Sequence, residues 1–442
     1  MNRVQTKKKA VVHVLGCKVN QAETAAMAKI LEDRGYEVDP ATFAPDLVLI
    51  NTCCVTEKAE GKSRRMVARL AQRFPGSRVI VTGCLAEINP SALEQIPGSP
   101  VLLGTFEKDH FGDFLDCEST TGTGPVHRGA GTCRTFSDLG AFGMAGRGRA
   151  FLKIQDGCSQ GCSYCIVPKA RGRSRSLAAE KVLAYATALG AAGHGEIVLT
   201  GIHLGNYGRD LEPHAGVLED VLLRLLDECP EVRFRLSSIE PQEVTARLME
   251  LAAEHRRVCR HFHIPLQSGD DEILSRMRRP YDSHFIEEMT VRILTRVPEA
   301  CIGFDVMVGF PGEDERSFER TVRLIEKSGA AYLHVFPFSP RPGTPAASFR
   351  PRVPQNVARE RVGRLRALSA ILRTRYYERF LEKTLTAVPE SEPDEKNGSV
   401  LARTDNYIPV RVQGPAKMLL ERSFAVRLER IVNGEVQGGC VA

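Results

Sequence analysis

The sequence predicts an α/β protein in three units: an N-terminal α/β parallel-sheet domain, a central partial (β/α) barrel and a small C-terminal all-β barrel. Strand-like apolar runs alternate with helical stretches along most of the chain, the pattern of parallel sheets covered by helices. A segment rich in Gly, Thr and Ser (118–148) interrupts that alternation. Beyond Thr384 the pattern shortens to apolar segments separated by Gly, Pro and Asn. The expected boundaries are therefore 10–117, a linker at 118–146, 147–378 and 379–442.

In the first unit, Val11 to Leu15, Leu47 to Asn51 and Arg78 to Thr82 read as strands, with helices over Ala22 to Arg34 and Lys58 to Gln72. In the second, strands are expected at Phe151 to Ile154, Gly195 to Thr200, Arg233 to Ser237, His263 to Pro265, Gly303 to Val308 and Tyr332 to Phe336. Helices such as Ala178 to Ala192 lie between them. Repeated βα units of this length imply a curved parallel sheet with its chemistry at the C-terminal strand ends. The last unit offers Ser399 to Ala402, Tyr407 to Val412 and Phe424 to Arg430 as barrel strands.

Composition narrows the function class. With 442 residues and 43% hydrophobic content the chain supports ordinary packed cores and is neither disordered nor fibrous. Thirteen cysteines in a chain this long, several in Gly-Cys or Cys-x-x-Cys contexts, point to a reducing compartment and to metal or sulfur chemistry rather than a secreted disulfide framework. The apolar run after Lys7 to Lys9 is too short for a signal sequence and no run reaches membrane-spanning length, so a cytoplasmic protein without membrane contact is expected. The net charge of +6 suits a polyanionic partner without demanding one. Basic residues cluster at Lys62 to Arg65, Lys169 to Arg175 and Arg359 to Arg375, and any of these also reads as a solvated face.

The sharpest signal is the run Gln155-Asp156-Gly157-Cys158-Ser159-Gln160-Gly161-Cys162-Ser163-Tyr164-Cys165, directly after an apolar strand. Three thiolates on one short loop can hold three irons of a four-iron cluster. The fourth iron is then free to chelate the amine and carboxylate of S-adenosylmethionine (SAM). A structural zinc knuckle uses similar spacing, but a fourth Cys or His at finger distance is missing. The spacing therefore reads as a radical SAM enzyme. A second set, Cys17, Cys53 and Cys84, follows three different predicted strands, whose C-terminal ends converge on one edge of a parallel sheet. Any one of them alone reads as a small buried hydrophobe; the repetition at three strand ends favours a second cluster.

Together these residues resemble the methylthiotransferases, radical SAM enzymes that insert sulfur and a methyl group at an unreactive C–H carbon. The resemblance covers nearly the whole chain. It implies an auxiliary [4Fe-4S] cluster on Cys17, Cys53 and Cys84, a SAM-binding [4Fe-4S] cluster on Cys158, Cys162 and Cys165, and a C-terminal TRAM-like domain that binds substrate. The segments Gly16-Cys17-Lys18-Val19-Asn20-Gln21, Asn51-Thr52-Cys53, His334 to Ser339 and Pro342-Gly343-Thr344-Pro345 resemble the branch acting on N6-threonylcarbamoyladenosine in tRNA. That branch makes the 2-methylthio derivative beside the anticodon. The isopentenyladenosine branch usually has Gln-Met-Asn after the first cysteine and the ribosomal-protein branch Pro-Lys-Asn; these substrates are the alternatives. Two departures stand out: Cys54 adds a thiol beside Cys53, and Lys169 follows Pro168 where relatives often carry Tyr.

A radical route fits the target, because the C2–H bond of an adenine is neither acidic nor electrophilic. Sulfur has to arrive beside it, so both clusters are expected to face one cavity. The resemblance further implies tRNA, an electron donor such as a flavodoxin or ferredoxin, and a sulfur source as partners. Tyr164, Glu196, Gly201, Ser238, Glu240 and Gln267 are the SAM-binding candidates, at or near strand ends where glycines allow close approach and polar groups orient the ligand. His203, His261 and His263 read as scaffold residues before base catalysts. For RNA, Arg171, Arg173 and Arg175 beside the cluster loop are the first candidates for phosphate contact. Arg403, Tyr407 and Arg411 are expected on the C-terminal barrel.

Overall fold

The computed structural model describes residues 7–98, 100–116, 135–143, 148–211, 216–419 and 421–441. The first sheet is formed by β1 (Lys8–Val14), β2 (Tyr36–Val38), β3 (Leu47–Thr52), β4 (Arg78–Gly83) and β5 (Val101–Leu103), all parallel, in the order β2-β1-β3-β4-β5. Every residue of β3 is buried, as befits the centre of a sheet with helices on both faces. Three helices bear on the site: α1 (Lys18–Asp33), α2 (Glu57–Arg73) and α3 (Cys84–Ile88). Thr56 caps α2 by accepting from Ala59 N at 3.1 Å, and Glu57 and Glu60 in its first turn complement the helix dipole.

Six further parallel strands form an open arc: β6 (Arg149–Lys153), β9 (Glu196–Thr200), β10 (Arg233–Leu236), β11 (His261–Gln267), β12 (Cys301–Val308) and β13 (Tyr332–Pro337). Between β6 and β9 a two-residue ladder joins β7 (Gln155–Asp156) to β8 (Arg175–Ser176). Ladders link β6-β9-β10 and β11-β12-β13, and bridges from Phe234 to Val258 and Ser238 to His263 join the two halves. The edges are β6 and β13. Helix α1 of the first sheet lies against β6, and the long helix Gln355–Glu378 lies against β13.

The C-terminal unit is a closed barrel of β14 (Thr384–Pro389), β15 (Val400–Thr404), β16 (Pro409–Gln413), β17 (Phe424–Val432) and β18 (Glu435–Cys440), in the order β14-β15-β16-β18-β17. Closure removes the free sheet edges that three strands would leave. β14 and β18 were not legible as strands. In β18 the paired glycines of Glu435–Cys440 hide the alternation, and they are required by packing: a Cβ on Gly438 would meet the Arg427 carbonyl oxygen at 2.2 Å. The expected strand start at Tyr407 is a turn instead, with Tyr407 at φ +71°.

The barrel closes the N-terminal end of the arc. Glu196, the first residue of β9, is fully buried and accepts from Arg149 Nε at 2.6 Å, Arg233 Nε at 2.7 Å and Arg235 Nε and Nη2 at 2.8 Å. The same arginines cross to the barrel, Arg233 donating to the carbonyls of Thr386 and Arg403 at 3.0 and 2.7 Å and Arg235 to those of Thr404 and Asp405 at 2.9 and 3.0 Å. Burial alone would raise the Glu196 carboxyl; Arg149, Arg235 and Arg233 overcome that and hold it well below its ordinary value.

Most of the expected linker lies outside the described residues. Its described part, 135–143, is docked: Leu139 is buried with the first sheet's core, and Asp138 accepts from Lys181 Nζ at 2.6 Å and Tyr185 OH at 2.9 Å. No helix among the described residues is long and apolar enough to cross a membrane.

Replacing Glu196 with Gln removes the carboxylate that Arg149 shares with the buried Arg233 and Arg235, so Glu196→Gln is expected to cost about 3–5 kcal/mol in urea unfolding. Glu180→Gln, which breaks an exposed pair with Arg224, is expected to leave the unfolding midpoint unchanged.

Candidate functional site

β1, β3 and β4 are neighbours in the first sheet, so the residues just beyond their C-terminal ends, Cys17, Cys53 and Cys84, meet at one edge. The approach is close: a Cβ on Gly16, whose φ is +102°, would lie 2.8 Å from Cys53 Cβ and 3.1 Å from its sulfur. Asn20 stitches the loops by donating to the carbonyls of Leu15 at 2.8 Å and Thr52 at 3.0 Å. Ser63 Oγ fixes Cys53, accepting from its amide at 3.1 Å and donating to its carbonyl at 2.9 Å.

Burial, with the neighbouring Cys84 and Cys17 thiols adding to it, pushes Cys53 up to about 12. Cys17 reaches solvent, yet desolvation by the protein around it still raises its thiol against the pull of Arg171. Cys54 points elsewhere: it is fully buried among Val48, Ile50 and Leu85, with its thiol 3.3 Å from the Cys84 carbonyl oxygen.

The second loop begins at Gly157 (φ +71°), where a Cβ would lie 2.0 Å from the Arg173 carbonyl oxygen. Cys158 N donates to Gly172 O at 3.0 Å, Ser163 N to Met277 O at 3.0 Å and Cys165 N to Cys162 O at 3.2 Å. Its three thiols are half-buried, and every cysteine among the described residues is free. Desolvation pushes Cys165 up to about 12.

Two partners that sequence reasoning did not assign touch this loop. His203 Nδ1 lies 3.5 Å from Cys158 Sγ while its Nε2 pairs with Glu243 at 2.7 Å; burial would lower His203, but these two partners raise it to about 10. Arg279 donates to Cys162 Sγ at 3.2 Å and to Tyr281 OH at 2.7 Å, and forms an ion pair with Glu240. Neither residue stands in a local motif; only the fold brings them to the loop.

The two cysteine loops are joined by one buried ionic cluster. Arg171 is 0% exposed and donates to Glu23 at 3.0 and 3.2 Å, to Asp156 at 2.9 Å and to Asn20 Oδ1 at 2.6 Å. Lys108 adds a 2.6 Å pair to Glu23, and Lys153 lies 3.2 Å from Glu23 and 3.5 Å from Asp156. Burial would raise Glu23, but Arg171, Lys108 and Lys153 hold it well below its ordinary value. An apolar contact runs alongside: Ile166 and Ala170, following Cys165, are buried with Cys54, Cys84 and Leu85 of the first unit.

This network corrects two expectations. Arg171 and Arg175 do not contact phosphate: Arg171 is consumed by the clamp, and Arg175 is 3% exposed, packed over the Phe106 ring at 5.1 Å and 3.9 Å from Asp156. Of the three arginines only Arg173 is exposed, as is Lys169 at the start of the run. Glu196 is likewise no ligand contact, because it sits at the opposite end of the arc under the C-terminal barrel.

The other candidates do fall at or beyond C-terminal strand ends: Gly201 after β9, Ser238 and Glu240 after β10, and Gln267 at the end of β11. Gln267 has φ +63° and a buried, unpartnered Oε1, and Ser237 Oγ is also buried without a partner. Tyr164 packs edge-on against Phe310 with centroids 6.5 Å apart. On the barrel, Arg403 makes two 2.8 Å bonds to Glu390 and lies 4.4 Å over Tyr407, whose ring stacks on His261 at 3.9 Å. Arg411 is half-exposed, 3.7 Å from Glu435. Inside the arc, Asp305 pairs with His263 at 3.0 Å and His334 at 3.3 Å, and Tyr332 OH lies 2.8 Å from both His261 and His263.

Residues 9–104 match the model of uncharacterized protein family UPF0004, and residues 152–325 that of the radical SAM superfamily. The threonylcarbamoyladenosine tRNA methylthiotransferase MtaB of Bacillus subtilis is 37% identical over 417 residues, covering 92% of this chain and 91% of its own. The Aquifex aeolicus protein of the same name is 33% identical, covering 92% and 97%. Among solved structures, the radical S-adenosylmethionine methyltransferase TsrM from Kitasatospora setae, with cobalamin and a [4Fe-4S] cluster bound, superposes with a TM-score of 0.54 at 16% identity over 77% of each chain, a likeness of fold. Conserved length, both domain models and identity above 30% agree: the chain belongs to the family of the threonylcarbamoyladenosine tRNA methylthiotransferases.

Proposed function

We propose that this chain converts N6-threonylcarbamoyladenosine in tRNA to its 2-methylthio derivative, using two [4Fe-4S] clusters and SAM. The observation that carries the reading is the buried clamp of Arg171, Glu23 and Asp156, which ties two open three-thiol sets to one region in a chain of this family. Each set fits such a cluster: three free thiols, none closed into a disulfide, with the neighbouring thiols felt electrostatically at Cys53 and Cys165. Cys17, Cys53 and Cys84 hold the auxiliary cluster, and Cys158, Cys162 and Cys165 hold the one that binds SAM. When bound, these groups supply one-electron chemistry and sulfur.

The chain's own residues do the positioning. His203 and Arg279 brace the sulfurs of Cys158 and Cys162, and the unpartnered Gln267 Oε1 and Ser237 Oγ, with Gly201 and Ser238, offer a cradle for SAM at the strand ends. Glu240 acts indirectly by holding Arg279. The C-terminal barrel is the TRAM-like unit that engages RNA, through the half-exposed Arg411 and through Arg403 and Tyr407, which line a small cavity with His334. A cytoplasmic location, an external electron donor and an external sulfur source follow from this chemistry and from the tRNA substrate.

Cys53→Ser is expected to lower anaerobically reconstituted iron from roughly eight to roughly four atoms per chain. It should abolish methylthiolation while leaving SAM cleavage measurable. Cys54→Ala should keep full iron and activity and cost roughly 1–2 kcal/mol of stability, the effect of trimming a buried side chain.

Nucleoside mass spectrometry of tRNA after anaerobic incubation with SAM and a reductant tests the substrate. A methylthio gain confined to the threonylcarbamoyl nucleoside is expected. A gain confined to isopentenyladenosine, or SAM cleavage with no gain on either, would refute that substrate.

A further inference from the structure

Two of the three expected phosphate contacts beside the cluster loop, Arg171 and Arg175, are buried, but the chain carries another row of cations without a carboxylate partner among the described residues. In the helix Gln355–Glu378, Arg359, Arg366 and Arg373 are spaced by seven residues, which turns each one only about 20° from the last, so all three stand on one face. At 1.5 Å per residue they span about 21 Å. All three are exposed, and none has a carboxylate partner among the described residues; Arg359 donates only to Gln355 Oε1, at 3.2 Å. Two arginines off this row behave differently: Arg361 pairs with Glu313 at 2.6 Å and Glu315 at 3.1 Å, and Arg364 with Glu315 at 2.8 Å.

The row opens into a cavity at each end, both beside edge strand β13. The upper cavity, about 740 Å3, is lined by Arg359 and Arg366 together with Phe336, Phe338 and Lys58, which sits in the first turn of α2 five residues beyond Cys53. The lower one, about 190 Å3, places Arg373 beside His334 and Tyr407. Unpaired cations interleaved with aromatic rings along a line are the chemistry that binds an extended single strand of nucleic acid, whose phosphates need charge and whose bases need stacking surfaces. An acidic protein would need the charges but not the rings.

We propose that Arg359, Arg366 and Arg373 form a phosphate track that leads single-stranded RNA along the open edge of the arc, between the first cysteine set and the C-terminal barrel. This rests on the tRNA reading above and adds the surface that receives the strand.

The test is a salt titration of tRNA binding to the anaerobically iron-loaded protein. Each Arg→Gln change is expected to reduce the slope of log affinity against log salt by about 0.7, and the triple variant by about 2. Weakening should be uniform across tRNA sequences, and SAM cleavage with a chemical reductant should be unchanged. Arg364→Gln, on a paired arginine, should leave the slope as it is. An unchanged slope in the triple variant, with wild-type binding and methylthiolation intact, would overturn the track but not the substrate. Unchanged tRNA affinity with loss only of turnover driven by an acidic flavoprotein would also overturn it, in favour of a protein partner. Failure of the wild-type protein to bind tRNA would remove both readings together.

Discussion

Arg171 is the residue on which the rest of the site depends. A buried guanidinium is costly unless its hydrogen bonds are answered, and here Glu23, Asp156 and Asn20 answer those of both terminal nitrogens. Those partners are not interchangeable. Asn20 and Glu23 lie three and six residues past Cys17 on α1, and Asp156 lies two residues before Cys158. One side chain therefore fixes the relative position of two loops more than a hundred residues apart in sequence. Lys108, Lys153 and Arg175 surround the same two carboxylates, so cations outnumber anions in this cluster. The excess suits the anionic sulfur ligands nearby, and Arg171 already feels the Cys84 and Cys17 thiols.

The arc separates two tasks along its strands. At their C-terminal ends the backbone turns through Gly157 and Gln267, polar groups are left without partners, and thiols gather. At their N-terminal ends Glu196 holds three arginines, two of which fasten the C-terminal barrel through its carbonyls. That contrast explains why a strand residue such as Glu196 can carry an acidic group into the interior without being part of the chemistry.

Sequence reasoning reached the architecture and the placement of the first cysteine set at neighbouring strand ends because both are written locally. Strands β3, β4 and β12 are apolar runs with clear ends, and each cysteine of the first set directly follows or closely trails such a run. It missed what depends on long-range pairing. The Lys169 to Arg175 run looked like a surface patch, since nothing in its neighbours announces that Glu23, some 150 positions away, would bury Arg171. Strand β18 was hidden by glycines that its neighbour β17 requires, and Arg279 by its position on a connecting turn. Conversely, the basic stretch from Arg359 to Arg375 is one cluster in sequence, yet in space Arg361 and Arg364 are held by carboxylates while Arg359, Arg366 and Arg373 share a face without one among the described residues.

The central claim is that the clamp holds the two thiol sets at one shared site. Electron paramagnetic resonance of the reduced, iron-loaded protein reads this directly, because paramagnetic centres within a shared cavity broaden and relax one another. The account predicts such mutual broadening in the wild-type protein and its loss in Glu23→Gln with iron content retained. Two sharp, independently relaxing signals in the wild-type protein would contradict it.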